Sequence, residues 1–207
     1  MSGRYEVTAD GGEDLLPMRL IVGVSGSSAP QIGLTLLRAL RDSEGVEVHL
    51  VVSKGAEKVI EAELGMSRRV FEECADVVYE PDDLAAAISS GSYLTSGMVV
   101  VPCSMNTLAN IAAGHSADLL TRAADVCLKE RRRLVLVTRE TPLSLIHIKN
   151  METVTLAGGI ILPPVPAFYH HPHSIEDLLK QTAGKIMDQF HIQHSLFQRW
   201  QGTAEVE

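Results

Sequence analysis

Met18-Arg19-Leu20-Ile21-Val22-Gly23-Val24 is an apolar run broken by a single arginine, and it ends in Ser25-Gly26-Ser27-Ser28. Seven residues are too few for a helix of ordinary length. A continuous apolar run that stops at small residues reads as a strand buried on both faces, as in a parallel sheet. Gln31 to Leu40 follows with Ile32, Leu36, Leu37 and Leu40 on one helical face. Moving outward, the alternation repeats. Val46–Val52, Gly97–Pro102 and Leu134–Val137 read as strands, with weaker ones at Asp76–Tyr79 and Gly159–Leu162. Helices are expected over Lys54–Glu63, near Asp82–Ile88, and over Asn106–Ala113, Asp118–Lys129, Ser144–Ala157 and Ser174–Phe190. Ser174 is a natural N-cap, with Glu176 and Asp177 in the first turn. Strands alternating with helices predict a three-layer, doubly wound α/β domain of the flavodoxin-like or Rossmann-like kind. No internal repeat is present.

Composition narrows the function. The chain has 207 residues, 45% of them hydrophobic and 21% charged, which suits one globular domain over residues 18–207 with a tail from about 191. A net charge of −8 argues against nucleic acid as partner, because such proteins carry a basic stripe. No apolar run approaches the ~20 residues that span a bilayer, so no membrane partner is expected. Residues 1–17 read as a disordered leader without the marks of a signal peptide. Cys74, Cys103 and Cys127 are an odd count without C-x-x-C spacing, which suits reduced thiols in the cytoplasm. His170-His171-x-His173 reads as a polar loop, since adjacent histidines cannot easily point at one ion; no metal is expected.

Four strand ends carry polar chemistry. After the first strand, Gly26, Ser27 and Ser28 let backbone amides approach an anion and add hydroxyls. After the second, Ser53 is an N-cap. After the third comes Cys103-Ser104-Met105-Asn106-Thr107, where Cys103 reads as a buried thiol because nothing nearby lowers its pKa. After the strand Leu134–Val137 comes Arg139-Glu140-Thr141-Pro142, a cation beside a carboxylate at a sharp turn. Ligands of open α/β sheets sit at the carboxyl ends of the strands. Arg122 and Lys129 lie about two helical turns apart and share a face. Tyr169 ends the proline-stiffened Pro163-Pro164-Val165-Pro166-Ala167-Phe168, and Trp200 is the only tryptophan.

R-E-T-P-L (Arg139–Leu143), P-V-P-A-F-Y (Pro164–Tyr169), P-C-S-M-N-T-L (Pro102–Leu108) and R-A-A-D-V-C-L-K-E (Arg122–Glu130) occur in the order found in the UbiX-type flavin prenyltransferases. That family includes the phenylacrylic and hydroxybenzoate decarboxylase B subunits. The resemblance covers roughly residues 18–200, and Ile88–Tyr93 (I-S-S-G-S-Y) is similar to the decarboxylase B-subunit branch.

The resemblance implies an enzyme that joins a dimethylallyl group, from a dimethylallyl phosphate, to N5 and C6 of reduced FMN. The product would serve a UbiD-type decarboxylase. It implies FMN contacts at Gly26, Ser27, Ser28, Ser53, Ser104, Met105, Asn106, Thr107 and Arg139. It gives catalytic roles to Glu140, Ser28 and Glu63. Donor contacts fall on Arg122, Lys129, Tyr169, Lys185 and Trp200. A cytoplasmic homo-oligomer, commonly a dodecamer with sites at subunit contacts, is implied as well. The chain departs from the family twice. Ala29 replaces a loop glycine and precedes Pro30, so a stiffer loop is expected. Lys185 replaces an arginine, which keeps the charge and loses the planar fork. Two other readings stay open: an FMN-binding accessory subunit, and a relative of the flavin-dependent cysteine decarboxylases. The latter should lack R-E-x-P-L and the paired cations.

Overall fold

A computed structural model describes residues 17–202. The leader expected over residues 1–17 lies, apart from Pro17, outside them. Six strands form one sheet in the order β3-β2-β1-β4-β5-β6. They are β1 (Met18–Val24), β2 (Val46–Val52), β3 (Val77–Tyr79), β4 (Gly97–Cys103), β5 (Arg133–Thr138) and β6 (Ile160–Ile161). Every pairing is parallel. The strand order reverses direction between β1 and β4. Crevices open at such a switch point, at the carboxyl ends of the strands.

Alternate residues of each strand feed two cores. Leu20, Val22 and Val24 of β1, Val99 and Val101 of β4, and Val135 and Val137 of β5 pack on one face. Helices α1 (Pro30–Arg41), α2 (Lys54–Leu64) and α7 (Ile175–Gln189) cover that face, with α1 against α7. Ile21, Met98, Val100, Leu134 and Leu136 pack on the other, under α4 (Met105–Ala112), α5 (Leu119–Lys129) and α6 (Leu145–Leu156). This is the three-layer sandwich that the alternation predicts.

Two local expectations fail. No α-helix forms over residues 82–88: the chain makes turns and a short 3₁₀ segment at Ala87–Ser89. The Asp83 carboxylate accepts from the Ala85 N–H, a local bond that competes with helical pairing. A one-turn helix, α3 (Arg69–Glu72), forms where none is expected, and it buries Phe71 completely. It is too short to show a periodic pattern.

Helix α6 is unusual in burying only Val154, while Leu145, Ile146, Ile148 and Leu156 stand exposed. Single exposed apolar residues are ordinary; four on one helix make a patch.

Candidate functional site

The loops after β1, β4 and β5 are tied together by the serines of the first. Ser25 Oγ donates to the Pro102 carbonyl (3.0 Å) and accepts from the Ser104 N–H (2.8 Å). Ser27 Oγ donates to the Arg139 carbonyl (3.0 Å), and the Arg139 N–H donates to the Cys103 carbonyl (3.1 Å). Gly26 lies against the backbone of Gly55; a Cβ there would come within 2.9 Å of a carbonyl carbon. Only glycine lets the β1 loop approach the start of α2 so closely. Of the expected cofactor serines, Ser27 therefore spends its proton internally. Ser28 is half-buried, with its hydroxyl uncommitted among the described residues.

Ser53 and Ser104 cap α2 and α4. Ser53 Oγ accepts from the Ala56 N–H and Ser104 Oγ from the Thr107 N–H. Capping uses an oxygen lone pair and leaves each hydroxyl proton able to donate. Ser104 Oγ and Thr107 Oγ1 also bond each other at 3.0 Å. These groups, with Asn106 and Asn110, line a cleft of ≈ 330 Å³ into which both capped helix ends look. Its far wall holds Pro81, Asp82, Asp118 and Thr121. Hydroxyls, amides and two helix N-termini are the donor set that suits a phosphate or a polyol chain. Asp118 is engaged in capping α5 through Thr121. Lys54 and Asp82 form an ion pair at the mouth, and the Asp82 carboxylate holds the Lys54 ammonium above its ordinary pKa.

Arg139 is half-buried, and Glu140 is exposed with its Oε1 accepting from the Thr141 N–H (2.9 Å). Glu63 comes to the β1 loop from α2: its Oε2 accepts from the Ala29 N–H at 3.0 Å. Ala29 is the N-cap residue of α1, has no side-chain cap of its own, and sits at φ 71. Glu63 thus satisfies a donor at the start of α1. Cys103 is fully buried, and burial pushes its thiol pKa far up, so it is no nucleophile.

The remaining expected residues lie elsewhere. Tyr169 and Trp200 meet edge to face, centroids 6.2 Å apart. Gln181 of α7 donates to the Tyr169 hydroxyl (3.4 Å). One turn on, Lys185 pairs with Asp188 at 3.5 Å. Asp188 also takes a two-pronged bond from Arg199 (2.6 and 3.0 Å) and one from His194 (3.1 Å). Arg122 donates to the Ser89 carbonyl (3.1 Å) and to Asp125, while Lys129 pairs with Glu130 beside Gly91. Arg122 and Lys129 stand on α5 and Lys185 on α7, across the sheet from one another. One chain does not bring the three cations together.

Ser25, Lys54, Asp82 and Asn110 escaped the sequence reading. Their signal would have been polar residues adjoining expected strand ends, which many surface loops share. A larger hollow of ≈ 640 Å³ opens at the opposite edge of the sheet, lined by Arg131, Arg133 and His191. There Arg131 and Arg133 donate to the Ala157 and Gln189 carbonyls, the usual work of cations at helix C-termini. It contains none of the strand-end loops. Among the described residues no group of three or more His, Cys, Asp or Glu could hold a metal.

These features define an α/β protein whose cleft at the carboxyl edge of the sheet offers the donor set that suits a phosphorylated ligand. The sequence profile of the Flavoprotein family matches residues 10–198, and the chain belongs to the UbiX-type flavin prenyltransferases within that family. The flavin prenyltransferase UbiX of Salmonella typhimurium is 50% identical over 187 residues, covering 89% of this chain and 99% of its own. The crystal structure of AnUbiX (PadA1) in complex with FMN and dimethylallyl pyrophosphate superposes with a TM-score of 0.88 at 49% identity, covering 91% of this chain and all of the other. A dodecameric FMN-dependent UbiX-like decarboxylase from Escherichia coli O157:H7 gives 0.87 at 49%, covering 89% and 100%. The FMN-dependent cysteine decarboxylase SpaF, at 22% identity and 0.58, shares the fold alone.

Proposed function

We propose that this chain transfers a dimethylallyl group from a dimethylallyl phosphate to N5 and C6 of reduced FMN, and that the prenylated flavin serves a UbiD-type decarboxylase. The observation that carries this reading is the clamp of Ser25 and Ser27, which ties the Arg139 backbone to the loops after β1 and β4, the loops whose Gly26, Ser104, Asn106 and Thr107 line a cleft of hydroxyls and amides. Relatives at about 50% identity bear the same activity in their names.

Ser53, Ser104, Met105, Asn106 and Thr107 would hold the flavin through hydroxyls and backbone amides, with Gly26 to Ser28 and Arg139 completing the cradle. The bound reduced flavin supplies the nucleophilic ring that accepts the prenyl group. Glu140 is exposed and free to take up a proton at its Oε2. Glu63 fixes the loop that carries Ser28. Arg122, Lys129 and Lys185 would stabilise the leaving phosphate, each donating charged hydrogen bonds. Tyr169 and Trp200 would offer aromatic faces to the cationic carbon and shield it from water.

Because α5 and α7 lie on opposite faces, convergence of these cations requires α5 from a second copy. A homo-oligomer, a dodecamer as in the relative from Escherichia coli O157:H7, would supply it, and the exposed apolar face of α6 suits such contacts. Three free, buried cysteines suit the cytoplasm.

The test is anaerobic incubation of the protein with reduced FMN and dimethylallyl monophosphate, followed by mass analysis of the extracted flavin. A gain of one five-carbon unit is expected. Bound flavin of unchanged mass, with any allylic phosphate, would leave the accessory-subunit reading instead.

A further inference from the structure

The cleft at the carboxyl edge has one cation among the described residues that line it, Lys54, and its ammonium is paired with Asp82 across the mouth. Both side chains are about two-thirds exposed, 70% and 68%. An isolated pair so open to water contributes little to stability, so holding the fold together is a weak reason for its place. Its position is more telling. Lys54 is the first residue of α2, directly after Ser53, whose hydroxyl proton is free to donate into the cleft. The N-termini of α2 and α4 both favour negative charge at this spot. Asp82 opposes it, and the second acid of the lining, Asp118, is spent on Thr121.

From this we infer that Lys54 is a phosphate-binding residue of the flavin site and that Asp82 is its competitor. Asp82 holds the ammonium over the cleft. A phosphate monoester arriving among Ser53, Ser104 and Thr107 carries close to two negative charges and takes the ammonium from the single charge of Asp82. The lysine swings on its flexible stem, so no backbone movement is needed. The exchange makes affinity depend on the phosphate itself: FMN gains from it, and riboflavin, which has the same ring and ribityl chain, does not. The inference rests on the flavin reading above.

The experiment is titration of the intact protein with FMN and with riboflavin, followed by flavin fluorescence. Wild type, Lys54→Met and Asp82→Asn are compared at low and at moderate salt. Lys54→Met keeps most of the apolar stem and removes the charge. It is expected to weaken FMN about tenfold and to leave riboflavin unchanged. Asp82→Asn is expected to act in the opposite sense, tightening FMN severalfold with riboflavin again unmoved. Added salt should weaken FMN binding to wild type more than to Lys54→Met.

Two results would overturn the inference alone: an FMN-to-riboflavin ratio that neither substitution moves, or weakening of FMN by both variants alike. The second would show that the pair merely shuts the mouth. Failure of wild type to bind either flavin would overturn the flavin reading together with this one.

Discussion

Ala29 sits at φ 71, in the left-handed region that costs a residue with a Cβ about 1–2 kcal/mol. The family glycine would sit there at no steric cost. Glu63 holds the Ala29 N–H and helps keep the conformation. Ala29→Gly should therefore stabilise the protein, by up to about 1 kcal/mol after the extra entropy of the unfolded glycine is subtracted. A thermal melt reads this directly; a fall in melting temperature would mean that the loop is not strained. Glu140 calls for a different test at the same scale. Glu140→Gln keeps the shape and the acceptor for the Thr141 N–H, yet it cannot cycle a proton. FMN titration should be unchanged while turnover falls by roughly 10²-fold or more. Full turnover in that variant would move the proton to Glu63.

At the scale of elements, the segment 191–202 lies along α7 and is fastened at Asp188. Gly184 makes room for it: a Cβ there would meet His194 and Phe197 at 2.6 Å. Burial raises the Asp188 carboxyl pKa, but the bonds and charges of Arg199 and His194 outweigh it and leave the pKa below the usual carboxylate value. A carboxylate depressed in the folded state contributes stability above its unfolded pKa of about 3.9, and that contribution is lost as pH falls through the folded value. The segment should therefore loosen in acid, below about pH 4. Asp188→Asn should loosen it at neutral pH. Trp200 is the single tryptophan, so its quenching by acrylamide should rise in both cases. Quenching that matches neutral wild type would show that the aromatic contacts with Tyr169 hold the segment unaided. What the sequence disclosed follows from range. Strands β1, β4 and β5 were legible because burial on both faces writes an apolar run into the chain. The caps Ser53 and Ser174 were legible because a cap acts three residues away. Ser25 to Pro102, Ser27 to Arg139 and Glu63 to Ala29 span 77, 112 and 34 residues, and no local pattern records such pairs. The turns at 82–88 failed as a helix for the opposite reason: a purely local Asp83 bond outweighed the pattern.

For the whole molecule, the decisive fact is that the sheet separates α5 from α7. A site using Arg122 or Lys129 together with Lys185 has to be assembled from more than one copy. Oligomers of a single chain repeat one interface by symmetry, so every copy would lend α5 outward and receive another in return. This arrangement has a consequence that a site within one chain lacks. Take Arg122→Ala, defective on the lent helix, and Glu140→Gln, defective at the receiving edge. Each alone should be nearly inactive in prenyl transfer. After dissociation, mixing in equal amounts and reassembly, a site is intact where a Glu140→Gln copy lends α5 to an Arg122→Ala copy. Random assembly produces that pairing at about a quarter of the sites. Activity of the mixture should rise to about that fraction of wild type, with each variant reassembled alone as the control. A mixture no more active than the average of its parents would place Arg122 and Glu140 in the same copy's site, or remove Arg122 from the chemistry. Size-exclusion chromatography of the mixed sample would separate those outcomes from a failure to reassemble.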